Sequence, residues 1–277
     1  MSSTRRTTLA ATTPTTSRAS NLSTGPLHVV ILGSGTAIPR PSRAPSGILV
    51  SEAGTHLLLD GGAGTLTRLA DAGVLLEELA AVLYTHLHVD HTGELVPLLF
   101  ALKNPGFQRD RPLTIVGPPG LSRLHEDLAS VYGAWITAPP CGLVMGTWNP
   151  PAAYELLGWR VDAVAVAHGA SAHGVRLTSP SGAVIAYSGD TDECDAVVDL
   201  ARDADLLVLE CSHPDDRKVD GHLSPTPCGR VAAAARPRRL VLTHFYPGWD
   251  PEDARPPVEA LYDGEVIIAA DGLRIEV

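Results

Sequence analysis

The sequence has few cysteines, no long apolar run and fewer basic than acidic residues. Each of these shortages excludes or disfavours a class of protein. The 4 cysteines are widely spaced and form no CxxC pair, which favours reduced thiols in a cytoplasmic protein over disulfide bonds. No apolar run approaches the roughly 18 to 20 residues that cross a bilayer, so no membrane partner is expected. The 31 acidic residues outnumber the 21 basic ones, and the net charge of −10 disfavours tight binding of a long nucleic acid, which needs many phosphate contacts.

The composition divides the chain into a short tail and one long segment. Residues 1–25 are rich in Ser and Thr and contain arginine but no acidic residue. They lack the apolar core of a secretory signal, and although their composition resembles a transit peptide we expect a disordered tail. Residues 26–277 have the length of one large α/β domain or two small ones, and we expect a single domain.

Short apolar runs alternate with helical patterns from His28 onward. Continuous apolar strands are buried on both faces where helices cover a sheet, so the alternation predicts an α/β fold. The strand-like runs are 28–33, 47–51, 56–60, 80–85, 113–117, 164–168, 183–190, 205–210, 239–244 and 265–269, and the helical patterns are 63–73, 94–103, 121–133, 195–203 and 225–235. Residues 132–160, which hold three tryptophans and several prolines, break this rhythm. They fit a lid or dimer surface and, equally, an excursion that packs its aromatic rings on the core.

The segment THLHVDH at 85–91 concentrates three histidines and one aspartate within six residues. At the end of a strand, His86 and His88 point to the same side, because strand side chains alternate with a period of two. Asp90 and His91 follow where a helix begins. Imidazole and carboxylate together suit zinc, and also manganese or iron(II), so this segment predicts two metal pockets.

Three more candidate ligands close other strand-like runs: His168, Asp190 and His244. Ligands in α/β folds gather at the carboxyl ends of strands, which favours a shared site. Taken singly, Asp190 also fits a helix cap and the two histidines also fit core positions. Glu210 ends a strand in the same way and fits equally a group that supports the ligands and an ordinary strand-end acid. His213 could approach the site from the end of that strand, although such a histidine is more often structural.

Together these segments resemble the metallo-β-lactamase superfamily over about residues 27–277. The resemblance rests on THLHVDH, His168, SGD at 188–190 and THF at 243–245, and also on LGSGTAIPRP at 32–41 and LLLDGG at 57–62. It implies a four-layer αββα sandwich, with two mixed sheets inside, helices outside and two divalent metal ions, of which zinc is the first expectation, at one edge.

Carried onto this sequence, the resemblance assigns seven metal ligands and their support. One metal takes His86, His88 and His168, the other takes Asp90, His91 and His244, and Asp190 bridges them together with a water or hydroxide. Asp90 is thereby also a catalytic residue. Asp60 resembles the aspartate behind the ligands that orients them, and it also fits a turn before Gly-Gly.

Two further segments resemble the tRNase Z and phosphodiesterase branch. HGASAHGVRL at 168–177 is similar to its H…GYR pattern, with Val175 where the branch has tyrosine, and GHLSP at 221–225 is similar to its H-S/L-T/S motif. The match makes His222 a proton donor to the leaving oxygen or a phosphate contact. A loop histidine is the alternative.

The spacing also disfavours tRNA as the substrate. Only 22 positions (190 − 168) separate His168 from Asp190, too few for the tRNA-gripping arm that long-armed tRNase Z enzymes insert there. We therefore expect a small phosphodiester, such as a cyclic nucleotide, with lactone, thioester or sulfate-ester hydrolysis as the alternative on the same site. Dimers are common among the relatives, and the sequence is compatible with a homodimer.

Overall fold

The computed structural model describes residues 25–104, 106, 109–150 and 153–277. The expected tail lies outside these residues, except for Gly25. Fourteen strands and seven α-helices lie within the described part of the chain. The strands are β1 (His28–Gly33), β2 (Gly47–Glu52), β3 (Thr55–Leu59), β4 (Leu79–Leu83), β5 (Leu113–Gly117), β6 (Leu143–Thr147), β7 (Ala153–Leu156), β8 (Trp159–Ala165), β9 (His173–Thr178), β10 (Val184–Tyr187), β11 (Leu206–Glu210), β12 (Arg239–Thr243), β13 (Glu265–Ile268) and β14 (Arg274–Glu276).

The helices fall where the periodic patterns predict them, with two additions. Five of them match the five predicted segments, each within a few residues, whereas α2 and α7 are short helices without a long periodic pattern. None of the described helices has the length and apolar character needed to cross a membrane. The helices are α1 (Thr65–Asp71), α2 (Val89–Thr92), α3 (Leu95–Ala101), α4 (Leu121–Tyr132), α5 (Asp195–Ala201), α6 (Pro225–Ala235) and α7 (Arg255–Glu259).

The strands form two mixed sheets of seven strands each. The first has the order β14-β1-β2-β3-β4-β5-β6, and the second has the order β13-β12-β11-β10-β9-β8-β7. In each sheet one half is antiparallel and the other is parallel, the parallel pairs running from β3 to β6 and from β10 to β13. The candidate ligands follow the carboxyl ends of these parallel strands, except His168, which follows β8 in the antiparallel half of the second sheet.

Alternating strand faces produce the predicted sandwich. On β3, Leu57 and Leu59 belong to the core between the two sheets, while Leu58 between them packs with α1 and α3 on the other face of the first sheet. Residues of α5, α6 and α7 pack on the second sheet. The four-layer αββα prediction is therefore confirmed.

The segment 132–160 contains strands that its sequence pattern does not indicate. It holds β6 and β7, the edge strands of the two sheets, and the chain passes from one sheet to the other between them. Trp148 and Trp159 are buried, which supports core packing for this part, whereas Trp135 is 65% exposed. β9 and β14 were not predicted either.

Leu57→Ala is expected to lower the free energy of unfolding by about 2–5 kcal/mol. The substitution leaves a cavity between the two sheets, and the packed side chains around it can relax only partly to fill it. Urea denaturation followed by circular dichroism measures this change. Leu75→Ala is the matched control, because Leu75 is 58% exposed. Equal effects of the two substitutions would contradict the placement of Leu57 in the core.

Candidate metal centre

The histidine cluster lies where β4 passes into α2. β4 is buried along its whole length, and the chain leaves it through Tyr84 and Thr85. His88 precedes the helix with an extended backbone, and its carbonyl accepts hydrogen bonds from the amides of His91 and Thr92, both at 3.1 Å. An extended segment that turns at once into a helix directs four polar side chains into one pocket.

The first ligand group consists of His86, His88, His168 and Asp190. The Nδ1 atom of His88 lies 3.1 Å from Nε2 of His86 and 3.2 Å from Nε2 of His168. The Oδ2 atom of Asp190 lies 3.6 Å from Nε2 of His86 and 3.8 Å from Nε2 of His168. One ligand atom from each of these four side chains thus lies within 4.8 Å of the others, a spacing that can hold a metal ion.

The second ligand group consists of Asp90, His91 and His244, and it adjoins the first through Asp190. The Nε2 atoms of His91 and His244 are 3.3 Å apart, and Nε2 of His244 lies 3.5 Å from Oδ2 of Asp90. Oδ1 of Asp190 lies 3.3 Å from Nε2 of His91 and 3.4 Å from Nε2 of His244. Asp190 therefore presents one carboxylate oxygen to each group.

The buried atoms of this pocket fit a metal cation. Oδ1 of Asp190 is buried and has no hydrogen-bond partner within the described part of the chain, although two ring nitrogens face it. A buried carboxylate oxygen without a partner is costly, and a cation placed among these atoms would satisfy it. Imidazole nitrogens and carboxylate oxygens are also the donors that zinc, manganese and iron(II) accept.

The surroundings of His86 favour a neutral ring, whereas the surroundings of His91 favour a positive charge. Burial, and then the charge of His91, lowers the pKa of His86 to about 2, so this ring is in the neutral form that binds metals. Burial alone would lower the pKa of His91, but the carboxylates of Asp190 and Asp60 outweigh burial and raise it well above its ordinary value. Asp60 and Asp190 thus stabilise positive charge at this ring, which either a second ring proton or a cation beside Nε2 would supply.

Asp60 lies behind the second ligand group and is fully buried. Its Oδ2 atom accepts hydrogen bonds from Nδ1 of His91 at 2.8 Å and from the Tyr187 hydroxyl at 2.9 Å, and its Oδ1 accepts from the Thr85 amide at 2.8 Å. A proton on Nδ1 leaves the Nε2 lone pair of His91 directed into the pocket. Gly62, which follows in the same turn, has no space for a side chain because a β-carbon would overlap the Asp90 carbonyl oxygen.

Two other histidines are oriented in the same manner. Nδ1 of His168 lies 2.8 Å from the Gly221 carbonyl oxygen, which can only accept, so this nitrogen donates and Nε2 faces the pocket. Nδ1 of His244 lies 3.0 Å from the Ser212 hydroxyl, and the backbone of His244 adopts a φ of 62°. The local backbone therefore aims both Nε2 atoms at Asp190.

His222 lies beside the ligand groups and is held by Glu210. Its Nδ1 atom is 3.1 Å from Oε1 of Glu210 and 4.0 Å from Oδ2 of Asp190, and its ring centroid is 4.7 Å from that of His168. Burial alone would lower the pKa of His222, but the hydrogen bond to Glu210 and its charge outweigh burial and raise it. Asp190, His222 and His244 also form a third triad within ligand distance.

The sequence pattern leaves Glu210 between two interpretations and does not single out Ser212. Glu210 is fully buried and also accepts hydrogen bonds from the amides of Thr191 at 2.7 Å and Leu223 at 3.2 Å. Ser212 donates to Glu210 and contacts Nδ1 of His244. The one available sequence signal was the position of both residues at the end of β11.

A family model decides the classification of this fold and site. The model described as the β-lactamase superfamily domain matches residues 55–245, which include all the candidate ligands. The chain belongs to the β-lactamase superfamily.

Relatives match this superfamily member over most of their lengths. The chain is 34% identical over 255 residues to the uncharacterized protein ML1173 of Mycobacterium leprae (strain TN), covering 89% of this chain and 87% of that protein. It is 32% identical over 282 residues to a protein named ribonuclease Z in Mycobacterium bovis (strain BCG / Pasteur 1173P2), covering 91% of this chain and 98% of that protein.

Solved structures of the superfamily have the same architecture. The metallo-β-lactamase fold protein YhfI from Bacillus subtilis superposes with a TM-score of 0.81 at 25% identity, covering 91% of this chain and all of that one (100%). The short form of human tRNase Z, ELAC1, superposes with a TM-score of 0.72 at 25% identity, covering 90% of this chain and 99% of that one. The resemblance to the metallo-β-lactamase superfamily and its tRNase Z branch is therefore confirmed.

For this superfamily member, the structure brings every predicted site residue to one edge of the sandwich. His86, His88 and His168 surround one oxygen of Asp190, and Asp90, His91 and His244 adjoin the other, with Asp60 behind and His222 alongside. The cluster suits metal binding, and the superfamily membership supports a hydrolase. The assignment of an individual role to each side chain stays a prediction.

Asp60→Asn is expected to weaken zinc binding by about 10- to 100-fold, because the neutral amide no longer fixes the ring of His91. Competition with a fluorescent zinc chelator measures this affinity. Asp71→Asn, which removes an exposed carboxylate of α1, is the control and is expected to bind zinc as the unmodified chain does. Unchanged affinity in Asp60→Asn would remove the positioning role of Asp60.

Proposed function

We propose that residues 26–277 form a dinuclear metal-dependent hydrolase that cleaves a small phosphodiester. The observation that carries this proposal is the placement of Asp190, whose two oxygens face two different ligand groups. Each group offers at least three nitrogen or oxygen donors, which is the number of protein ligands in many catalytic zinc sites. Two divalent ions held there, zinc being the first choice, would activate water and polarise the ester.

The side chains of this chain supply orientation and a proton. Asp90 is held between Nε2 of His244 and the Ala37 amide, which donates to Oδ2 at 3.1 Å, so its carboxylate is fixed at the pocket mouth. His222 carries its proton next to the pocket because Glu210 stabilises the positive ring. That position suits a donor to the leaving oxygen, since departing alkoxides require protonation.

Two properties support a small phosphodiester. The chain is 32% identical to a protein named ribonuclease Z and 25% identical to human tRNase Z, which favours phosphodiester chemistry in this branch. The net charge of −10 and the short connection between His168 and Asp190 do not favour the many phosphate contacts of a long RNA.

RNA is the second candidate, because of the same relatives. A carboxylic or sulfate ester is the third, since the same activated water can attack either. Comparison of bis-p-nitrophenyl phosphate, an unprocessed tRNA and a panel of lactones and thioesters separates the three. Turnover of tRNA with a higher kcat/KM than that of the small ester would replace the small-substrate proposal.

Purified protein supplied with zinc is expected to contain about two ions per chain. His88→Ala and His244→Ala, which remove one donor from the first and second groups respectively, are each expected to retain about one ion. Elemental analysis after gel filtration gives the stoichiometry, and His28→Ala, an exposed histidine of β1, is the control. Absence of metal after supply of zinc, manganese and iron(II) would exclude the dinuclear site.

Hydrolysis of bis-p-nitrophenyl phosphate by the metal-loaded protein is expected to stop on chelation and to return when zinc or manganese is restored. Two bound ions without hydrolysis would leave the metal site intact and transfer the proposal to lactone, thioester or sulfate-ester substrates.

His222→Ala is expected to lower kcat by about 10²- to 10⁴-fold for an ester with a poor leaving group, with metal content unchanged. The loss should be smaller for p-nitrophenyl esters, because p-nitrophenolate departs without a proton. Glu210→Gln is expected to reduce kcat less strongly than His222→Ala does, again with the larger loss for the ester with the poor leaving group. Loss of one metal ion in His222→Ala would instead identify His222 as a ligand in the third triad, and full activity would remove both roles.

A further inference from the structure

Two aromatic side chains stack against each other at the rim of the metal centre. His213 follows β11 by three residues, and Tyr246 follows β12 by three residues. Their ring centroids are 4.4 Å apart with an interplanar angle of 22°. Both side chains are only partly buried, so the pair presents ring surface to solvent.

The pair borders the pocket on the side of His222. The ring centroid of His222 is 6.1 Å from that of His213 and 5.9 Å from that of Tyr246. The ring of His244 is also 5.9 Å from Tyr246. A group that receives a proton from His222 therefore comes directly beside the stacked rings.

Backbone contacts hold the two loops together. The Tyr246 amide donates to the Ser212 carbonyl oxygen at 3.0 Å, which extends the pairing of β11 and β12 beyond both strands. The Arg217 guanidinium donates to the Gly248 carbonyl oxygen at 3.1 Å. The backbone that carries the two stacked rings is therefore held in place, so a planar ligand can pack on them without ordering a flexible loop.

We propose that His213 and Tyr246 select the leaving alcohol by packing against a planar ring, either an aryl group or a nucleobase. This inference rests on the proposed function, because His222 defines the leaving side. Aromatic faces bind any planar ring and depend little on its hydrogen-bonding groups, so the pair would discriminate by shape rather than by base identity. A flexible alkyl alcohol gains much less from the same surface.

The test compares two phosphodiesters whose leaving alcohols have matched acidity, 4-chlorophenol and hexafluoroisopropanol. Matched acidity makes both equally dependent on the proton of His222. In Tyr246→Ala the KM for the aryl ester is expected to rise about tenfold with kcat almost unchanged. The KM for the alkyl ester should stay constant, and Tyr246→Phe should restore the aryl KM.

Tyr132→Ala is the control, because Tyr132 is 48% exposed at the end of α4 and is no part of the metal centre. Equal effects of Tyr246→Ala on both esters, or a loss of kcat alone, would overturn the inference. His213→Ala is the second variant, and it should reproduce the selective KM effect even where Tyr246→Ala is unstable.

A binding measurement separates this inference from the proposed function. Calorimetric titration of the metal-loaded protein with adenosine 5′-monophosphate and with ribose 5-phosphate requires no turnover. Tighter binding of the nucleotide, lost in Tyr246→Ala, would support the aromatic platform even if no phosphodiester is cleaved. Equal affinity for the two phosphates would overturn the platform while leaving phosphodiester hydrolysis to stand on its own test.

Discussion

A carboxylate buried among imidazoles is the constraint on which the rest of this structure depends. Asp190 is almost fully buried, and burial alone would raise its pKa, but the rings of His244 and His91 hold it well below its ordinary value. A charge in such a place requires partners on every side, because the interior solvates it poorly. The histidines that face it come from separate parts of the chain, so only the folded sandwich assembles the site.

The two mixed sheets explain how such distant residues meet. Parallel strands place their carboxyl ends at one edge, and each sheet contributes such an edge. β4 delivers His86 and His88, β10 delivers Asp190, and β12 delivers His244. The antiparallel halves pair and bury the remaining strands, among them β8, after which the chain brings His168 to the same site edge. The fold thus collects the polar ligand side chains at one edge of the sandwich, where they do not disrupt the apolar packing between the sheets.

Sequence patterns predicted those features that depend on neighbouring residues. The apolar runs predicted nine of the strands and the last two residues of a tenth, β8, and the residues within 85–91 indicated a metal site, because both signals are local. β7, by contrast, is a short edge strand with little burial, and β14 has three residues, so neither has a strong pattern. The contact between Glu210 and His222 forms because the loop after β11 folds back toward the end of that strand. No local pattern in the residues around Glu210 or around His222 predicts this path of the chain.

The buried position of Glu210 links the proposed proton donor to a proposed metal ligand. One of its oxygens holds His222, and the other is reached by the Ser212 hydroxyl, which also contacts Nδ1 of His244. A change at Glu210 therefore alters the orientation of a proposed donor and of a proposed ligand through one hydrogen-bond network. Residues that share a network show non-additive effects, so the free-energy changes of single substitutions at Glu210 and His222 cannot be summed. A double-mutant cycle between these two positions measures the free energy by which Glu210 and His222 are coupled in the reaction.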